Sequence, residues 1–269
     1  MLTTSKKNKP TQVLVLIIAC ASMLSSYSFA ALDNETALNC AINPAQLTAT
    51  YTIQSTSTHH HKPAKSNTNR TLVLWRHNNV VAHQYPETAI TESWQLLKHT
   101  SANTQLVKPV RYFDQHERAI EYQPGETLHG KKEKNWHYRQ QLVSPSLLQQ
   151  MTLVKSAGIG CDLQQTYTLT QPHHSITLVW QPALKLLVGY KVSTPHYREE
   201  WQLVSVSSEK KTISAFFNQL DHYQTTDYAD IGDDHTDPFL TNMVNLGFIE
   251  AGASGFYRAD GQAISDHRH

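Results

Sequence analysis

Between about residue 45 and residue 206, short segments rich in β-branched and aromatic residues recur at intervals of about ten residues, separated by Pro, Gly and Asn. Such spacing leaves little choice of fold, because strands this close in sequence can only turn back on one another. The first, Ala45–Ser55, places Leu47, Ala49, Tyr51 and Ile53 on one face and threonines on the other, the period-two pattern of a half-buried strand. Thr71–Arg76 and Val80–Gln84 flank His77-Asn78-Asn79, a tight turn in which Asn tolerates positive φ. Ile90–Lys98, Thr104–Phe113, Arg118–Tyr122 and Trp136–Val143 continue the series, with Pro124-Gly125 as a turn. Leu163–Thr170, Ser175–Trp180, Ala183–Ser193 and Tyr197–Val206 repeat it. Thr58–Arg70 has no apolar period and reads as a loop. Strands never alternate with helices in a βαβ pattern, so the sheet is expected to be an antiparallel meander.

Three helices interrupt the strands. Ser144 is suited to cap the first, Pro145 to begin it, and Leu147, Leu148, Met151 and Val154 form its apolar stripe before Gly158 and Gly160. The second spans Ile213–His222, with Ile213, Phe216, Phe217 and Leu220 facing the core. The third has Asp237 as cap, Pro238 at its first position and Gly247 at its end. The expected class is mainly β (α+β): one large curved antiparallel sheet or half-barrel meander of nine or ten strands, with a few short helices covering one face.

The N-terminus carries an address. Lys6, Lys7 and Lys9 precede the apolar run Val13–Ile18, and Ser28-Phe29-Ala30 offers the small residues read by a signal peptidase. The run is shorter than the roughly 20 residues of a membrane span. The expected organisation is a signal peptide over 1–30 and a single β-rich domain over 31–250, followed by a flexible tail over 251–269. Within the domain the meander covers 44–206 and a helical segment 207–250. Cleavage after Ala30 leaves 20 basic and 22 acidic side chains and two cysteines, Cys40 and Cys161, an even pair expected to form a disulfide in an oxidising compartment. Ile17-Ile18-Ala19-Cys20 has the look of a bacterial lipobox, which would instead lipidate Cys20 and tether the protein to a membrane. The expected location is the periplasm, with an outer-membrane lipoprotein as the alternative.

The aromatic-rich segments Leu72-Val73-Leu74-Trp75, Ile90–Trp94, Arg111-Tyr112-Phe113 and Leu184–Tyr190, within a secreted Gln/Thr-rich meander over residues 44–206, resemble the LolA/RseB-type periplasmic half-barrels. The resemblance is one of architecture. It implies a hydrophobic cavity between sheet and helices, of the kind with which that superfamily carries or senses lipids and lipoproteins.

Functional motifs are sparse. A formal net charge of +1 over 269 residues lacks the basic excess of a nucleic-acid binder. The chain contains no G-x-S-x-G elbow, H-E-x-x-H helix, P-loop or dinucleotide fingerprint. Trp75, Trp94 and Trp180 are candidate walls of a ligand cavity, since aromatic walls suit apolar ligands. Asp227, Asp230, Asp233, Asp234 and His235 crowd carboxylates and an imidazole into a few residues, a donor set suited to a divalent metal. His59-His60-His61 is a weaker metal candidate, because successive side chains point apart. The function expected from these features is a non-catalytic carrier, sensor or chaperone-like protein that binds a hydrophobic ligand or a lipidated envelope partner without a cofactor. The alternatives are a metal-binding protein using the acidic stretch and a hydrolase with a dispersed site.

Overall fold

The computed structural model describes residues 40–59, 62–98, 105–125, 127–128, 131–132, 135–231 and 237–245, all within the unit Leu38–His269. In chain order the elements are β1 (Gln46–His59), β2 (Lys62–His77), β3 (Val80–Tyr85), β4 (Ile90–Lys98), β5 (Gln105–Phe113), β6 (Arg118–Glu121), the two-residue pair β7 (Thr127–Leu128) and β8 (Lys131–Lys132), α1 (Trp136–Gln141), α2 (Pro145–Gln150), β9 (Thr152–Ala157), β10 (Gln164–Gln171), β11 (His174–Gln181), β12 (Leu186–Ser193), β13 (Tyr197–Ser207), α3 (Lys210–Leu220), β14 (Gln224–Asp227) and α4 (Pro238–Asn245). Twelve strands form one large open sheet in the order β14-β6-β5-β4-β3-β2-β1-β13-β12-β11-β10-β9.

This order explains where the helices lie. The chain meanders outward from β1 to β6, leaves that side of the sheet, and re-enters at the opposite edge as β9 before meandering back to β13 beside β1. The connection from β6 to β9 therefore has to cross the sheet, and α1 and α2 are part of it. Directly paired residues of antiparallel strands share a face. Tyr51, Ile53, Leu72, Leu74, Trp94, Leu178 and Trp180 thus fall on one face, and most of the main core cluster belongs to it. Leu142, Val143, Leu147 and Leu148 of the α1–α2 corner pack there. Phe239 of α4 also lies on this face, edge-on to Phe113 at 5.2 Å.

The second face is not bare. Trp75 alternates with Leu74 and Arg76, so it points away from them, and Phe216 of α3 stacks on it with ring centroids 4.0 Å apart. Phe217 packs against His77 and Tyr223 against Tyr112 on the same side. Helices therefore cover both faces instead of the single face expected. The reason is topological: α3 runs from β13 at mid-sheet toward β14, which pairs with β6 near the far edge. That last pairing is parallel, and the only parallel contact among the described strands.

Three further expectations are corrected. Thr58–Arg70 is no loop: β1 continues to His59 and β2 starts at Lys62, in register down to Ser57↔Ser66 and Thr58↔Lys65. Here the backbone ladder holds two polar strands together, assisted by Ser55 Oγ–Thr68 Oγ1 at 2.6 Å and Thr56–Asn67 at 3.0 Å. Residues 136–141 form a helix, not a strand, because the Asn135 side chain accepts the Tyr138 N–H at 3.1 Å and Leu142 takes a left-handed conformation (φ 61°) that closes the C-terminus. The Ser144-capped helix stops at Gln150, and Val154 is instead the extra residue of a bulge in β9, whose neighbours Leu153 and Lys155 pair with Tyr167 and Thr166.

The expected disulfide is present. Cys40 and Cys161 are bonded, with Cα atoms 5.7 Å apart. It joins the lead-in of β1 to the turn before β10, across a sequence separation of 121 residues. Among the described residues no helix is long and apolar enough to cross a membrane.

Candidate functional site

A pocket of about 170 Å³ opens between the α1–α2 corner and the sheet. Its roof is Tyr138, Leu142, Val143, Ser144 and Leu147; its floor is Leu187 and Tyr190 of β12 with Glu199 and Trp201 of β13. The floor follows from strand periodicity. Tyr197, Glu199 and Trp201 alternate along β13 on the core-facing side, and Tyr190 sits directly opposite Trp201 across the β12–β13 ladder. Their rings meet edge-to-face at 6.3 Å. Leu187 is fixed from beneath by Tyr51, whose hydroxyl donates to the Leu187 carbonyl at 2.8 Å.

Glu199 is the one acid in the lining of this pocket. The Glu199 carboxylate accepts the Trp201 indole N–H at 2.8 Å, the Tyr197 hydroxyl, and Arg70 at 3.4 Å. Burial, followed by the nearby charge of Glu199 and the Tyr138 phenol, pushes the Tyr190 phenol up to about 12, so it stays protonated at any physiological pH.

The roof is anchored by buried polar groups of the sheet. The last carbonyls of a helix lack intrahelical donors. In α1 these are supplied from β2 and β3: Arg76 Nε donates to the Gln140 carbonyl at 2.8 Å, and His83 Nε2 lies 2.7 Å from the Arg139 carbonyl. Arg76 also donates to Pro44 (3.1 Å), Leu184 (2.8 Å) and Lys185 (2.7 Å), so one guanidinium ties β2 to the lead-in, to α1 and to the turn before β12. It is 1% exposed and faces four carbonyls with no carboxylate among them. Burial lowers its pKa to about 10, still far enough above neutrality to leave it a cation. Burial, with Arg139 close by, pulls His83 down to about 3. The imidazole is therefore neutral and, facing a carbonyl, carries its proton on Nε2. The Arg139 guanidinium in turn lies 4.2 Å above the Trp94 ring. Deeper under the corner, Arg111 and Glu92 form a buried ion pair at 2.5 Å.

The residues singled out from sequence are dispersed. Trp94 is fully buried between Arg139 and His83, Trp180 is core, and Trp75 lies on the opposite face under α3. None of the three lines this pocket. Asp227 caps the short turn after β14, accepting the Ala229 N–H at 3.0 Å and the Gln123 amide, and Asp230 is exposed. Asp233, Asp234, His235, His60 and His61 lie outside the described residues. Among the described residues no three His, Cys, Asp or Glu side chains are grouped to hold a metal ion. Tyr138, Tyr190 and Glu199 were not legible as a group, although an acid at the core-facing position of Tyr197-x-Glu199-x-Trp201 is a sequence anomaly that marks this strand.

No protein-family model matches the chain, and no curated protein matches it. Solved structures similar to it include PNGF-II in two crystal forms, each with a TM-score of 0.30 over 66% of this chain, at 10% and 9% identity. Also similar is a DUF1329 family protein from Desulfovibrio piger, with a TM-score of 0.31 and 4% identity over 64% of this chain and 89% of that one. The chain spans about a third of the length of the PNGF-II chains, since 31% of each is covered. Similarity at this level carries no conclusion about activity or ligand.

Proposed function

We propose that the protein is a periplasmic, non-catalytic binding protein, a carrier, sensor or chaperone-like module that holds an apolar group of a small ligand or of a lipidated partner between its helical corner and its sheet. The observation that carries this reading is the pocket beneath α1–α2, with Leu142, Val143, Leu147 and Leu187 inside and Tyr138, Tyr190 and Trp201 around them. Its size sets what it can hold. An engineered apolar cavity of about 150 Å³ admits a benzene ring, whereas whole drug-sized ligands need roughly 300 Å³ or more. At about 170 Å³ the pocket suits one ring or the end of a chain. The Cys40–Cys161 bridge suits an oxidising compartment, and the basic and apolar run before Ala30 suits export.

The test is native mass spectrometry of untagged protein purified from the periplasm of cells expressing the full chain. A retained adduct of lipid or small-ligand mass, lost on substituting Trp201→Ala or Leu187→Ala, is the expected result. A bare polypeptide that also binds no added apolar probe would refute the reading. The intact mass of the same sample distinguishes cleavage after Ala30 from lipidation at Cys20.

A further inference from the structure

The sheet ends in an open strand. Among the described residues β9 pairs with β10 alone, from Gln164↔Ala157 to Thr168↔Thr152, and it is the last strand in the sheet order. All six of its residues are exposed. Roughly half of the N–H and C=O groups of such a strand point away from the sheet, toward water. The opposite edge, β14, is only four residues long, and shortness is one way an edge avoids further pairing. Large apolar side chains gather at the β9 edge instead: Leu153 is 46% exposed, Val154 55%, and Ile159 in the following turn 87%. Exposed apolar side chains that cluster, unlike single ones, mark contact surfaces. The ladder fixes their directions. Leu153 pairs with Tyr167, and that row runs on through Leu178 and Tyr190 to Trp201, so Leu153 stands on the face of the pocket floor. The bulge at Val154 breaks the alternation and sends Lys155, paired with Thr166, to the other face. No β9 residue lines the pocket itself.

An edge of this kind takes a strand, and its side chains decide whose. Lys155 is the only charged residue of β9, and it makes no ion pair among the described residues. A second copy of the chain fits poorly. Two-fold antiparallel pairing of Thr152–Ala157 with itself centres on Val154 and Lys155 and sets two ammonium groups side by side, where like charges repel. A bulge and a lysine are devices by which an edge resists pairing with its own kind. A foreign strand with an acid beside Lys155 and an apolar residue beside Leu153 meets both side chains with complementary chemistry, while its backbone completes the open ladder. We propose that β9 is a docking edge for a partner protein, which adds to the sheet an extended segment, apolar on the Leu153 face and acidic on the Lys155 face. In this mode main-chain hydrogen bonds supply affinity and alternate side chains supply specificity.

The experiment adds three capped peptides to the disulfide-bonded full chain: Ser-Val-Glu-Val-Glu-Val-Ser, its counterpart with Lys for both Glu, and a version of the first with Pro for the central Val. Amide hydrogen exchange of residues 152–157 reports the site. The outward amides of β9 are expected to exchange fast in the free protein and about tenfold more slowly with the Glu peptide bound. The Glu peptide should bind about fivefold more tightly than the Lys peptide, and Lys155→Glu should invert that order. Lys155 is exposed, so this substitution should leave the urea midpoint in place. The Pro peptide, without the central N–H, should bind neither protein. Equal binding of the Glu and Lys peptides, unchanged by Lys155→Glu, overturns the assignment of an acidic partner. Protection that appears only outside β9, or nowhere, overturns the docking edge. Amides of β9 already slow in the free monomer overturn it in favour of an edge covered by the chain itself. A mass that doubles with concentration as β9 becomes protected overturns it in favour of a second copy. The reading of the pocket stands or falls separately, on its own adduct test.

Discussion

Replacing Arg76 by Met tests whether one buried guanidinium holds the helical corner on the sheet. Met preserves much of the stem's volume and removes every donor. Four carbonyls, of Pro44, Gln140, Leu184 and Lys185, then lose the partner they have in the native protein. Each buried polar group left unpaired costs about 1–3 kcal/mol. Against this, the variant no longer has to keep a cation out of water, which returns several kcal/mol. Four unpaired carbonyls, set against several kcal/mol recovered from the cation, leave a net loss of about 2–5 kcal/mol. Measured against a typical total of about 5–15 kcal/mol, such a loss is large. The assay is urea unfolding at pH 7 with the disulfide intact, reading the midpoint and slope separately for Arg76→Met and Arg76→Lys. Lys keeps the charge but not the fork of donors, so it should recover only part of the loss. Arg76→Met within about 1 kcal/mol of the native protein would refute the argument, since that is the scale of an ordinary substitution.

Three other outcomes are expected. His83 is held neutral in the fold, with a pKa near 3 against about 6.5 unfolded, so its contribution is complete above pH 6.5 and is lost as the pH falls toward 3. Urea midpoints between pH 7 and 4 should fall less steeply for His83→Gln than for the native protein, by up to about 1.4 kcal/mol per pH unit; equal slopes would contradict the assignment. Glu92→Leu alone should cost about 3–5 kcal/mol by removing the carboxylate that pairs with the buried Arg111 guanidinium, whereas Glu92→Leu with Arg111→Leu should recover most of it, as a double-mutant cycle in urea would show. Cys40→Ser with Cys161→Ser should lower stability by about 4–5 kcal/mol, the chain-entropy value for a loop of this length, and reduction of the native protein should lower it equally.

Where side chains announce the backbone, the fold was readable. Leu47, Ala49, Tyr51 and Ile53 are all buried as their alternation requires, and Ile90–Lys98 has the expected bounds. Asp237 caps α4 through the Phe239 N–H at 2.8 Å. Readings failed where backbone pairing or tertiary contact decides. Residues 62–70 alternate nothing apolar because both faces of that ribbon are polar. Trp136-His137-Tyr138 carries β-favouring rings, but the carbonyls of Arg139 and Gln140 find donors in His83 and Arg76, and that docking selects the helix. The pocket was hidden for a related reason. Tyr190 and Glu199 lie on the adjacent strands β12 and β13, but Tyr138 joins them only because the β6–β9 connection crosses the sheet, and no local pattern encodes that crossing.

The position of β1 has a bearing on how the chain can fold as it is made. β1 is the first of the described strands to emerge, yet one of its two edges pairs with β13, from Thr48↔Ser207 to Ser57↔Tyr197. A nascent chain can complete β1 to β6 locally, but one flank of β1 stays open until nearly all of the sheet has followed. A long strand with an unsatisfied ladder is a template for pairing with other chains. Closure of the β1–β13 seam should therefore be the slow, late event of folding. The interval before it is when this protein depends most on being held apart from its own copies.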